Sequence, residues 1–379
     1  MQERLAYIAL NQMAGLGPVG VRRLIVALGS PQAIWTASEE DLCSVQGIGE
    51  KTAQAILRDR DVAEPEQEET RALAQGIRLI TPLDAEYPSG LSSIHNPPLV
   101  LYVKGSLRVE DARALAVVGS RSASPYGLST ADRLSYQAAQ CGLTVVSGLA
   151  RGIDTAAHRG ALKAGGRTIA VLGSALDCLY PVENEVLAEE IARSGAVMSE
   201  YPLGRVADRQ TFPYRNRIVS GLSLGTLVVE SEQKGGSMHT ADAAMEQGRS
   251  VLAVPGRVDL PGARGPHFLL KNGARLVESI EDVLAEFEFE MPDLSAPEAE
   301  VSVRPEVVLG VEERRIVEQL WVGPLQVDEL GRACAIASPV LSGILLSLEM
   351  KRIVRTLPGG VIELATDVRR VNKVESTNE

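Results

Sequence analysis

Six short segments combine glycine, hydroxyl and arginine residues in the way that a phosphate site requires. They are Gly119-Ser120-Arg121, Ser147-Gly148-Leu149-Ala150-Arg151-Gly152-Ile153-Asp154, Gly173-Ser174-Ala175-Leu176-Asp177 (running on to Tyr180-Pro181), Ser199-Glu200-Tyr201-Pro202-Leu203-Gly204, Phe212-Pro213-Tyr214-Arg215-Asn216-Arg217, and Glu230-Ser231-Glu232-Gln233-Lys234-Gly235-Gly236-Ser237. A residue without a Cβ lets an anion reach backbone N–H groups at a helix start. Any one of these glycines reads equally well as a tight turn; six such segments together point to a ligand. Residues 204–217 carry Arg205, Arg209, Arg215 and Arg217 against Asp208, and Tyr126, Tyr180, Tyr201, Phe212 and Tyr214 fall in or beside these segments. Cations for phosphates and rings for bases are what a single strand of nucleic acid needs.

Other chemistries fit poorly. The first segment continues Ser122-Ala123-Ser124 rather than G-x-G-x-x-G, and an arginine there would crowd a dinucleotide pyrophosphate. Gly49-Glu50-Lys51-Thr52 lacks the spacing of a Walker A loop. Neither Ser120 nor Ser147 stands in a G-x-S-x-G elbow. Asp154 reads as a catalytic carboxylate or, more simply, as a loop organiser at a helix start. Cys43, Cys141, Cys178 and Cys334 are scattered, as are His95, His158, His239 and His267, so no metal site, cofactor or catalytic residue is expected.

The elements that must position these loops are legible as short continuous apolar runs at 114–118, 143–146, 168–172, 196–199, 226–229, 250–254 and 274–277. Runs of this kind predict strands covered on both faces. Helical patterns lie between them at 127–141, 153–164, 183–194 and 238–248. The alternation predicts a Rossmann-like, doubly wound parallel sheet over 71–290, with lead-in strands in 71–111 and ligands at the carboxyl ends of the strands.

Two smaller domains flank it. Residues 1–65 repeat an h-x-G-h-G turn opening a helix, once at Gly15-Leu16-Gly17-Pro18-Val19-Gly20 and again at Val45-Gln46-Gly47-Ile48-Gly49. This is the pattern of a tandem helix-hairpin-helix, read either as a holder of DNA phosphates or as a helical packing domain. Residues 305–366 predict three helices and a hairpin, a winged helix, followed by a polar tail at 367–379. Its third helix carries Ser338, Ser342 and Ser347, with Lys351 and Arg352 only at its end. Base reading wants more than that, so DNA and protein partners both stay open.

At 379 residues, with 45% hydrophobic and 23% charged residues, the chain has the composition of a folded multi-domain protein. No apolar run approaches the length of a membrane span, and Met1-Gln2-Glu3-Arg4 does not open a secretory signal, so a cytoplasmic protein is expected. The net charge of −11 argues against nucleic acid only until it is located. Nine negatives fall between Glu278 and Glu300 without a Lys or Arg, which leaves about −2 for the rest. The acidic linker at 291–304 would repel DNA from that side.

Taken together, G-S-R at 119–121, S-G-L-A-R-G-I-D at 147–154, S-E-Y-P at 199–202, F-P-Y-R-N-R-I-V-S-G-L-S at 212–223, T-A-D-A-A at 240–244 and V-P-G at 254–256 resemble the DNA-processing protein A (DprA/Smf) family. With the two end domains the resemblance covers about the whole chain. It implies a non-catalytic mediator that binds single-stranded DNA, loads RecA recombinase past single-strand-binding protein, acts in natural transformation and pairs as a homodimer through the Rossmann-like domain. It also implies that Arg121 contacts phosphate in a pocket shaped by Gly119 and Ser120. Arg215, Asn216 and Arg217 would bind or organise the strand, Phe212 would stack or pack, and Gly235, Gly236 and Ser237 would complete a phosphate cradle, with Gly148, Arg151 and Gly173 in the same site. Val182 stands where many relatives carry a basic residue, and Arg209 is expected to compensate. Phe268, Leu270 and Leu276 are the expected dimer surface. The alternative is a nucleoside-monophosphate phosphoribohydrolase on the same sheet; its P-G-G-x-G-T-x-x-E loop would need a Glu that the segment 235–243 lacks.

Overall fold

All but the last of the continuous apolar runs are largely buried between helices on both faces of a sheet in the computed structural model, which describes residues 2–13, 15–288, 310–334, 336–351, 353–357 and 360–364; at 274–277, Arg275 and Leu276 are exposed. The expected linker (291–304), the tail (367–379), Arg352 and the hairpin residues Pro358 and Gly359 lie outside them. The strands are β1 (Arg78–Ile80), β2 (Leu101–Gly105), β3 (Ala114–Val118), β4 (Thr144–Ser147), β5 (Thr168–Val171), β6 (Ala196–Ser199), β7 (Gly225–Val228), β8 (Ser250–Ala253) and β9 (Arg275–Leu276). They lie in the order β1-β2-β6-β5-β4-β3-β7-β8-β9. Pairing is parallel from β6 to β9, whereas the lead-in strands β2 and β1 extend the same sheet antiparallel.

Alternate residues of β3 show how the layers form. Ala114, Ala116 and Val118 face one core with Ile218, Val219, Met238 and Ala241, while Leu115 and Val117 face the other with Leu134, Ile153 and Ala157. Helices therefore cover both sides, as parallel crossovers require. The chain steps outward from β3 through β4 and β5 to β6, then returns over a helix, Thr211–Gly221, to place β7 on the other side of β3. That reversal is the topological switch point, where a doubly wound sheet opens a crevice for a ligand.

The chain falls into two compact units, Met1–Glu298 and Ala299–Glu379. In the first, the N-terminal helices share a core with the sheet edge: Ile8, Leu24, Ile34 and Ile56 pack with Leu99, Val100 and Tyr102. Gly15 and Gly47 take φ of +78° and +88°, the left-handed turn preceding the helices Pro18–Leu28 and Glu50–Arg60. The polar, acidic residues between the first two expected domains form a helix, Pro65–Ala74. Its pattern is disguised because a buried position holds Glu68, whose carboxylate accepts from the Tyr102 hydroxyl at 3.0 Å and from Leu203 N at 2.8 Å. The second unit has helices Val311–Val322, Val327–Cys334 and Ser338–Met350 and a three-stranded sheet completed by Val354–Leu357 and Val361–Leu364. Lys351 is committed to Glu313 at 2.6 Å, and Val340 and Leu346 are exposed on the third helix. No single helix among the described residues is long and apolar enough to span a bilayer.

One buried group ties fold to pH. His158 lies fully buried on the helix Ile153–Lys163, its Nδ1 2.7 Å from Thr168 Oγ1. That hydroxyl already donates to Val145 O, so Nδ1 carries the ring proton and Nε2 is the bare, unpartnered nitrogen. Burial, aided by the positive Arg215, pushes its pKa from 6.5 down to about 3. Between those values the unfolded chain binds a proton that the folded chain refuses, so stability falls as pH drops below 6.5, by up to about 1.4 kcal/mol per unit. The urea midpoint of the wild type is expected to fall between pH 7.5 and 5.5 by more than that of a His158→Leu protein; equal falls would contradict this.

Candidate nucleic-acid interface

The segment Phe212 to Arg217, read as a loop, is the start of the crossover helix Thr211–Gly221. Asp208 initiates it, its Oδ1 accepting from Gln210 N at 2.7 Å and Thr211 N at 3.0 Å. A helix sends neighbouring side chains in different directions, and this separates the arginines. Arg215 is buried beneath the crevice, where Nη1 donates to Gly148 O at 2.7 Å and to Val171 O. Arg217 points elsewhere: it grips Glu200 with two bonds of 2.8 and 2.6 Å, donates to Asn96 O at 2.9 Å and covers the Tyr214 ring at 4.0 Å. Arg217 and Gly173 do not line the crevice, whereas Arg215 forms part of its floor.

The motif at 147–154 is built around this floor. Asp154 is buried and its carboxylate accepts from Gly148 N at 3.1 Å and Ala150 N at 3.3 Å, while the charge of Arg215 faces it. Desolvation raises the Asp154 pKa and lowers that of Arg215 to about 10, so each needs the other to stay charged. The Gly148 peptide is thus held at both ends, its N–H by Asp154 and its carbonyl by Arg215. A Cβ on Gly148 would come within 2.4 Å of Arg215 Nη2. Gly152, at φ +75°, passes so close to the first loop that a Cβ would meet Ser120 O at 2.2 Å. The first loop is fixed from its other side by Glu230, whose carbonyl accepts from Ser120 N at 2.7 Å and whose carboxylate accepts from Ser124 N and Oγ at 2.8 and 2.6 Å.

Above this frame lies a basin of about 590 Å3 at the carboxyl ends of β3, β4 and β7. Gly119, Ser120, Arg121, Gly148, Arg209, Phe212, Arg215, Asn216, Gly235, Gly236 and Ser237 all contribute to its wall. Asn216 Nδ2 donates to Gly236 O at 3.2 Å and Ser237 Oγ to Ser231 Oγ at 2.7 Å, which shapes the loop after β7. Gly236 is exposed with nothing within 4 Å of a Cβ, so packing does not explain it. Lys234, His239 and Thr240 also line the basin. Lys234 was visible beside Gly235, but the last two open the next helix, Met238–Glu246, and carry no signal of their own.

Among the described residues, Arg121, Arg209 and Lys234 are exposed with no carboxylate within ion-pair distance. The Arg121 guanidinium stands 4.8 Å over the Phe212 ring, which in turn meets Tyr180 at 5.8 Å between centroids. The arrangement offers free cations at a rim and an aromatic ridge beside them. Beyond that ridge a side cleft of about 250 Å3 contains Arg151 and Tyr180. Val182 is exposed and apolar beside it. Phe268 and Leu276 are exposed away from the basin, and Leu270 is partly buried against the core.

Residues 78–288 match the family model for DNA recombination-mediator protein A, residues 300–360 its winged helix domain, and residues 7–59 a SAM-like helix-hairpin-helix tandem. The chain is 37% identical over 287 residues to Protein Smf of Synechocystis, covering 75% of this chain and 72% of that one. It is 45% identical over 207 residues to the DNA processing protein DprA of Streptococcus pneumoniae, covering 55% and 73%. The solved structure of the pneumococcal protein superposes with a TM-score of 0.66 at 35% identity, over 75% of this chain and 98% of that one. A structure of DNA processing protein A from Helicobacter pylori, described for its single-stranded DNA binding mode, matches with a TM-score of 0.51 at 28% identity, over 56% and 96%.

Proposed function

The chain belongs to the DNA recombination-mediator protein A family, and from that premise we propose that its basin binds single-stranded DNA without cleaving it. The observation that carries the proposal is Arg121, an exposed guanidinium with no acidic partner among the described residues, seated over Phe212 at the mouth of the crevice. Phosphates would meet Arg121, Arg209 and Lys234, and a base would meet the Phe212–Tyr180 ridge. Asp154 is buried, already accepts from two backbone N–H groups and faces the charge of Arg215, so it serves as a frame for the loop. The same reading includes loading of RecA onto the strand past single-strand-binding protein, a role in natural transformation, and a homodimer through the Rossmann-like domain around Phe268, Leu270 and Leu276.

Fluorescence anisotropy with labelled oligo-dT and a matched duplex, each over a salt series, tests the binding. Three unpaired cations predict a log–log salt slope of about −2 for the single strand, and weaker binding of the duplex. Equal binding of both forms would move the site away from the basin. Absence of strand binding, with release of base from nucleoside monophosphates, would establish the hydrolase instead.

A further inference from the structure

The side cleft holds a cation that is exposed yet engaged. Arg151 shares this cleft with Arg121, Tyr180 and Phe212, and its Nε donates to the Glu183 carboxylate. Both members are open to solvent, at 57% and 50% exposure. The backbone that carries Glu183 is fixed. It sits in the turn Val182–Asn184, and Asn184 pins that turn to the Arg151 loop by donating to Leu149 O and Thr155 Oγ1, each at 2.9 Å. The carboxylate is therefore held where an anion bound to Arg151 would lie. The pair also draws the Glu183 pKa below its ordinary value, chiefly through this hydrogen bond, so the carboxylate is charged at neutral pH.

We propose that Glu183 occupies a second phosphate position and that a DNA strand displaces it. This rests on the strand-binding reading of the basin and extends the track across the Phe212 ridge. An exposed ion pair holds its partner by a factor of about five or less. A phosphodiester entering the cleft would gain bonds from two guanidiniums, Arg121 and Arg151, and the planar fork of arginine suits phosphate oxygens. Glu183 then works as a latch: the cleft closes against stray anions and opens to a strand already anchored at Arg121.

The test is a double-mutant cycle on the full chain, read by anisotropy with oligo-dT at one fixed salt concentration. Glu183→Gln is expected to tighten binding about twofold to fivefold in the wild-type background. In an Arg151→Gln background the same substitution is expected to give no gain, because the cation it frees is gone. A gain of equal size in both backgrounds would overturn the latch, since the carboxylate would then act through its charge alone. No gain in either background would overturn it as well. A wild type that binds no strand removes the function reading first, and the latch with it.

Discussion

Arg121→Glu is expected to weaken oligo-dT binding by about tenfold to more than a hundredfold while leaving the thermal midpoint nearly unchanged. The two halves of this expectation come from one geometry. Arg121 is exposed, has no carboxylate partner among the described residues and sits over the Phe212 ring, so the folded state loses little when it changes. A strand phosphate, by contrast, loses a charge-assisted bond and meets a repelling carboxylate. Arg121→Lys should recover part of the affinity, since it restores charge without the planar fork or the contact with the ring. Anisotropy and a thermal melt on the same preparations decide the matter. Unchanged affinity in the reversed protein would remove Arg121 from the interface.

Arg215→Met is expected to do the opposite and fail through stability. Its guanidinium is buried, bonded to Gly148 O and Val171 O, and faces the buried Asp154. Without it, Asp154 is left as an uncompensated charge in a dry site, a loss of roughly 3–5 kcal/mol. For a domain of this size that corresponds to a fall of roughly 6–20 °C in Tm. Adding Asp154→Asn should return part of the loss, because the orphan charge goes with its partner. If Arg215 were instead a direct strand contact, Arg215→Met would melt like the wild type and bind weakly. Differential scanning fluorimetry of the single and double variants separates these cases.

The contrast between Arg121 and Arg215 marks the line between what was legible in the chain and what was not. The sheet was legible because most of its strands are short apolar runs buried on both faces, whereas the strand order that opens the crevice beside β3 came from the structure. Most of the residues that the family resemblance implies for the site, from Gly119 to Ser237, line the basin. The helix Thr211–Gly221 was hidden because its inward positions hold Arg215 and Ser220, polar residues whose partners come from distant loops and from within the helix. Periodicity reads apolar burial and misses such a helix; Glu68 disguised the helix Pro65–Ala74 for the same reason.

Charge counting along the segment misled in a related way. Of its four arginines, Arg205 pairs with Asp208, Arg215 faces Asp154 and Arg217 grips Glu200, leaving Arg209 without an ion pair among the described residues. The free cations at the basin come instead from three separate loops, as Arg121, Arg209 and Lys234. Which charges remain available to a ligand is a tertiary property. The glycines divide similarly: Gly148 is demanded by the buried Arg215 guanidinium and Gly152 by close backbone packing, whereas open space surrounds Gly236, where a ligand has room to approach.

The central claim is that a single strand lies in the basin across the Phe212 ridge. Photocrosslinking of the full chain to oligo-dT carrying 5-iododeoxyuridine, followed by peptide mapping, addresses it directly. Crosslinks at Phe212 or Tyr180, lost on addition of excess unlabelled strand and absent in Arg121→Glu, are the predicted result. Crosslinks confined to residues 310–364 or to the N-terminal helices, and unchanged by Arg121→Glu, would contradict it.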